Sequence, residues 1–208
     1  MKNKVEKLIL KNKDKFIGRH THNEFKNLIK KIFKKYRVKV NILTVFENDS
    51  IDLTGFGGAY DSEKDIIELD FFVTLNETDT ILISESFWSE FSFRLTQLIQ
   101  HEQLHRQQSV ARDHLFESRK YKVEKDDSGE REYLSDSDEI DAYSHDIALE
   151  IMKFYKNHQK YDIFSKISRK KRLESLKIYK KAFKNTKWTK IYKKLMKKTY
   201  KWTEYYGL

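Results

Sequence analysis

Three observations predict an α+β protein. The β-branched run VKVNILTVF, Val38 to Phe46, and the alternating run from Ile66 to Val73 read as strands. The stretch FWSEFSFRLTQLIQHEQLHRQQ is long enough for a helix and apolar on more than one side, as a helix covered by its neighbours is. Both ends of the chain are lysine-rich, with apolar residues at helical spacing. The expectation is a small sheet with one long helix carrying an HExxH pentapeptide, flanked by basic helical extensions.

The first segment, to about Arg37, reads as helix because Phe25, Leu28, Ile29, Ile32 and Phe33 recur at three- and four-residue spacing. Thr21 or Asn23 is suited to cap it. His20 and His22 then read as part of a solvated capping stretch, since an HxH pair chelates best from a strand. In TGFGGAYDSEKDIIELDFFV the glycines lack the Gly-Lys-Ser/Thr ending of a phosphate loop and read as a strand edge or bulge. A turn at Asp61-Ser62-Glu63-Lys64 separates strand-like runs. Ser84 or Ser86 can cap the long helix.

Residues 121–134, YKVEKDDSGEREYL, read as a hairpin about Asp127-Ser128-Gly129. A serine N-cap with acids behind it in Ser135-Asp136-Ser137-Asp138-Glu139 then opens a helix through EIDAYSHDIALEIMKFY. The remainder reads as basic, aromatic helix. There Ile178, Phe183, Trp188, Ile191, Tyr192, Leu195 and Trp202 gather only partly on one side.

Fourteen Phe, twelve Tyr and three Trp, in a chain of 208 residues that is 38% hydrophobic, supply the core of a folded protein. Without cysteine there is no disulfide or thiolate metal site, so imidazole and carboxylate are the strong ligands left. The opening MKNKVEKLIL has no apolar run of signal-peptide length, and nothing reaches membrane-spanning length. The expectation is therefore a soluble, cytoplasmic protein. The absence of proline and the Lys/Ile/Asn-rich vocabulary suggest an AT-rich genome such as that of a phage or virus.

The net charge of +10 is segregated. Residues 1–36 carry +9, residues 37–152 carry −15 and residues 153–208 carry +16. These boundaries suggest a basic N-terminal helical segment, an acidic core and a basic, aromatic-rich helical C-terminal segment. Either the basic arms pack on the centre and neutralise it, or an arm meets a polyanion such as nucleic acid. A basic helix at an anionic membrane surface is a third reading. The acidic centre would draw basic polypeptides.

In His101-Glu102-Gln103-Leu104-His105 the two histidines are four apart, so both imidazoles lie on one helix face and reach one ion. Zinc takes imidazole nitrogen and needs a third protein ligand if one position is to be left for water. Glu102, beside the first histidine, is placed to take that water's proton. A third ligand from the 135–156 helix could be Glu139, Asp141, His145 or Asp146.

With Glu139-Ile140-Asp141-Ala142 following His105 by 34 residues, the sequence resembles the zincin metallopeptidases of the gluzincin type. Its Glu-x-x-Ala second motif is similar to that of short ImmA/IrrE-type and SprT-type peptidases, and the strand pair before the helix looks like their edge-strand region. The resemblance covers about residues 38 to 152. It implies a zincin-like core, zinc on His101, His105 and Glu139, Glu102 as general base, and a protein or peptide substrate hydrolysed through a metal-activated water. The metzincin extension is missing, since Gln108 and Ala111 stand where its Gly and His would. SprT-type peptidases join DNA-binding regions to the core, but their zinc-binding appendages use cysteine.

Tyr143, one turn beyond Glu139, shares its face and is a candidate donor to a developing oxyanion. Asp146, two turns beyond, is a candidate to orient a ligand histidine. Asp141 points nearly the opposite way, and would replace Glu139 rather than join it. The alternative to an enzyme is a nucleic-acid-binding or virion-associated structural protein that keeps the fold without proteolysis.

Overall fold

The computed structural model describes residues 4–45, 53–74, 80–112, 127–155, 157–165, 167, 172–183 and 188–208. It mixes helix and strand, as expected, in two compact units, Met1–His114 and Leu115–Leu208.

The first unit opens with α1 (Lys4–Lys11), α2 (Lys13–Phe16), β1 (Gly18–Thr21) and α3 (His22–Ile32). The single helix expected here is thus broken. Gly18 adopts φ +120°, a conformation that side chains resist, and turns the chain into a strand. Thr21 then caps α3 in a reciprocal box with Glu24, so His20 lies in a strand while His22 begins a helix. A 3-10 turn, Lys34–Tyr36, leads into β2 (Val38–Val45).

β3 (Leu53–Asp61) and β4 (Ile66–Thr74) form an antiparallel hairpin, and β2 runs parallel to β4 on its other side. The order β2-β4-β3 leaves β3 at an edge, with a register shift at Leu53/Gly55. The glycine-rich run is therefore an edge strand with a bulge, as read from sequence. β5 (Thr80–Ile83), which the sequence reading did not single out, pairs antiparallel with β1.

Strict alternation buries Ile67, Leu69, Phe71 and Val73 of β4 on one side of the sheet. Val5, Ile9, Phe16, Phe25 and Ile29 from the basic N-terminal helices share that core. So does α4 (Trp88–Val110), through Trp88, Phe91, Leu95 and Ile99. The α4 cap position is Phe87, which offers no side-chain acceptor. Ser84 instead holds the preceding turn, its Oγ accepting from the Phe87 N–H at 3.2 Å.

The described part of the second unit is all helix: α5 (Asp127–Ser135), α6 (Ser137–Tyr155), α7 (Lys160–Ser165), α8 (Glu174–Ala182) and α9 (Trp188–Tyr205). Of the hairpin expected over 121–134, residues 121–126 lie outside the described residues, and the rest is α5. Glu130, Arg131 and Glu132 are good helix formers, and Leu134 is buried in this unit's core. Asp136, not a serine, caps α6: its carboxylate accepts from the Asp138 N–H at 2.8 Å, while Ser135 donates back to Arg131.

The core of this unit gathers Ile140, Ile147 and Ile151 of α6 with Leu176, Tyr179 and Phe183 near α8 and Ile191 and Leu195 of α9. The basic C-terminal helices thus bury their apolar sides on α6, although Ile178 is 39% exposed rather than inside. Glu150, fully buried on α6, accepts from the Ser175 N–H and, at 3.0 Å, from its hydroxyl, and so caps the start of α8. Among the described residues no helix is long and apolar enough to cross a membrane.

Candidate metal centre

In the first unit the centre is a consequence of helix pitch. Trp88, Phe91, Leu95 and Ile99 make the stripe that α4 turns to the core, and the next position on it is Glu102. The carboxylate is consequently 4% exposed. It lies over Gly58 of the edge strand: a Cβ there would stand 2.8 Å from Leu98 Cδ1 and 3.1 Å from Glu102 Oε1. Gly58 is what lets strand and helix approach so closely.

His101, 8% exposed, and His105, half-buried, lie on the adjoining stripe, with ring centroids 4.9 Å apart. Gln108, one turn further on, meets His105 Nδ1 at 3.1 Å through its Oε1. Where that carbonyl is the acceptor, Nδ1 carries the proton, and Nε2 is the nitrogen with a lone pair. In the sequence Gln108 serves only to exclude the metzincin pattern. Its i+3 spacing from His105 was the signal for this second role.

The turn carrying His105 is tied down by the next residue. Arg106 donates to Asp65 Oδ2 at 2.6 Å, Arg37 to the same oxygen at 2.8 Å, and the Tyr60 hydroxyl to Oδ1 at 3.0 Å. Burial opposes the charge on Asp65, but the hydrogen bonds from Tyr60 and Arg106 and the two guanidiniums outweigh it. They hold the carboxyl below the usual Asp range. One carboxylate thereby joins the end of α4, the start of β2 and the β3–β4 turn.

In the second unit α6 sorts its polar residues by side. Glu139 and Asp146 are buried, and Tyr143 sits between them with its ring edge-on to Tyr179 of α8 at 5.3 Å. The Tyr179 hydroxyl is buried and has no hydrogen-bond partner among the described residues. Burial first, then the nearby Glu139, Tyr143 and Asp146, push its phenol far above the usual tyrosine range, so it stays neutral. Glu139, Tyr143 and Asp146 therefore share the side of α6 that looks toward α8.

The two other candidates are engaged elsewhere. Asp141 accepts from Trp202 Nε1 at 3.3 Å and pairs with Lys198 at 3.3 Å. His145 Nε2 meets the Tyr206 hydroxyl at 2.7 Å, with Trp202 against its ring. Both belong to the packing of α6 on the C-terminal helix and its end. Of the histidines given no role from sequence, His114 lies outside the described residues, and the His158 ring rests against Tyr155.

His101 and His105 of the first unit, and Glu139 of the second, each offer an atom that a metal ion takes as ligand. Two imidazoles and a carboxylate are a donor set that zinc accepts. Comparison of the chain with family models, with curated proteins and with solved structures found no match.

Proposed function

We propose that this protein is a zinc-dependent peptidase, with the ion held by His101, His105 and Glu139 and with Glu102 as general base. The observation that carries the reading is the state of HEQLH on α4. Its two histidines share one side of a well-supported helix, and its glutamate continues the buried core stripe to lie over a glycine of an edge strand. A solvated helical tail with merely hydrogen-bonded His and Glu would not need that burial.

Bound zinc would supply Lewis acidity toward a carbonyl oxygen and a water acidic near neutral pH. Gln108, as acceptor from His105 Nδ1, would fix the tautomer that offers Nε2, and Arg106, through Asp65, holds the turn that presents it. The Glu102 carboxylate accepts the proton of the attacking water and delivers it to the leaving amine of a protein or peptide substrate. Tyr143, on the Glu139 side of α6, is the proposed donor to the developing oxyanion, and Asp146 the carboxylate that orients a ligand histidine. Asp141 and His145 are set aside as ligands because α9 and the Tyr206 hydroxyl already engage them.

The test is metal content by elemental mass spectrometry after zinc reconstitution of the full chain. About one zinc per chain is expected from a centre with three protein ligands, and none in His101→Ala or Glu139→Ala. A well-folded wild type that takes up no metal would overturn the reading. Zinc lost with His101→Ala but kept with Glu139→Ala would remove Glu139 from it.

A further inference from the structure

Helix α9 has two dissimilar sides. Inward it buries Ile191, Leu195, Thr199 and Thr203, and Lys198 at the margin is taken by Asp141 and the Ser137 carbonyl. Outward it exposes Lys190, Lys193, Lys194, Lys197 and Lys201, which recur at three- and four-residue spacing and so form one stripe. None of these five makes an ion pair among the described residues. Glu204 is the one acid among the exposed residues of the helix.

Exposed aromatic rings accompany the stripe. Tyr205 is 60% exposed, and Tyr200, 43% exposed, rests against Phe164 of α7 at 5.3 Å. Tyr161, one turn before Phe164, is 81% exposed. We propose that this side of α9 is a binding surface for single-stranded nucleic acid, with the lysines meeting phosphates and the tyrosines stacking on bases.

Charge argues first. On one helix side a residue recurs about every 5.4 Å, so the stripe is a ladder of like charges whose mutual repulsion a polyanion would relieve. Within their own unit these five lysines pair with none of the described acids. Residue type argues second. Lysine is a point charge without the flat, forked donor set that reads base edges, which suits phosphate contact without sequence preference. Exposed tyrosine faces accept any base, because every base has a π-face. A membrane surface fits less well: a surface-lying amphipathic helix sinks its apolar side into the bilayer, and here that side is already buried on α6.

The test is fluorescence anisotropy of the full chain with a labelled oligothymidylate of about twenty nucleotides, long enough for one binding site. If four lysines meet phosphates, raising the salt from about 50 to 200 mM should weaken wild-type binding roughly 50-fold. Replacing Lys193, Lys194, Lys197 and Lys201 together by Gln should remove most of that binding and flatten the salt dependence. The matched variant with Lys30, Lys31, Lys34 and Lys35 replaced by Gln, also exposed, should bind like wild type. Tyr205→Ala should weaken binding about tenfold and Tyr205→Phe should not.

Three outcomes would overturn the proposal. One is oligonucleotide binding that the α9 variant leaves unchanged or that the control variant loses equally. Another is duplex of the same length bound as tightly as the single strand. The last is co-sedimentation with phosphatidylserine vesicles that excess oligothymidylate does not reverse. Circular dichroism of each variant establishes that the exposed substitutions leave the fold intact. The metal site is untouched by all of them, so zinc content should not change.

Discussion

Two sides of α6 carry the same kinds of polar residue to different ends. On one, Glu139 and Tyr143 look toward the neutral phenol of Tyr179, with Asp146 at the margin, its Oδ1 3.6 Å from His145 Nδ1. On the other, Asp141 and His145 meet a cation, an indole N–H and a hydroxyl at α9 and the chain end. In sequence all four are donors within two turns of each other, each a plausible third ligand for the histidine pair on α4. What separates them is the neighbour that each side meets. A carboxylate already paired with Lys198 would have to give up that pair, and reorganise α9, before it could bind a metal.

The sharpest way to break this comparison is through Glu102, the proposed base. Glu102→Gln keeps size and burial but cannot accept a proton. Peptide hydrolysis should fall by about 10²- to 10⁴-fold while zinc stoichiometry stays at wild type. Loss of both together would make Glu102 a structural residue.

Next in size is the packing carboxylate of α6. Glu150→Ala strips the cap of α8 and leaves buried donors on Ser175, and should cost about 3 kcal/mol, read as a lowered urea midpoint. A midpoint unchanged within error would show that α8 does not depend on this contact.

Asp141→Ala and His145→Ala sharpen the comparison from the other direction. Each should lower stability by about 1–2 kcal/mol and retain the metal, the reverse of Glu139→Ala. Loss of zinc in either would exchange the roles of the two sides.

Gly58→Ala tests the close approach of β3 to α4. The added methyl meets Leu98 and Glu102, so about 1–2 kcal/mol of stability should go, with hydrolysis falling more than stability explains because Glu102 is displaced. Equal activity per folded molecule would sever Gly58 from the site.

The smallest effect concerns acid. Asp65 has a folded-state pKa below its unfolded one, so its contribution is fully present above the unfolded Asp value. It is lost as pH falls through the folded value. Urea midpoints between about pH 5 and 2 should therefore drop less steeply in Asp65→Asn than in wild type, and parallel curves would remove Asp65 from the acid response.

How much of this was legible beforehand depended on how local each feature is. Strands β2 and β4 were readable because β-branched residues and alternation are properties of adjacent positions, and Ile67, Leu69, Phe71 and Val73 are buried as alternation requires. The capping of α3 by Thr21 was one of two candidates offered. The hairpin expected about Asp127-Ser128-Gly129 failed where helix-forming Glu130 to Leu134 could bury a leucine in a core assembled from far along the chain. The serine expected to cap α6 gave way to Asp136.

By itself, then, the sequence determined the pairing of His101 with His105 and the placing of Glu102 on the core stripe of α4. A helix turns every 3.6 residues whatever it packs against. It also determined the segregation of charge. Only the tertiary structure decided which donors of α6 are engaged, because the partners of Glu150 and Asp141 lie 25 and 61 residues away along the chain. It likewise decided which side of α9 is turned inward onto α6 and which lysines it leaves exposed. Local periodicity is written in neighbouring residues, whereas the choice of partner is made by elements that meet only once the chain has folded.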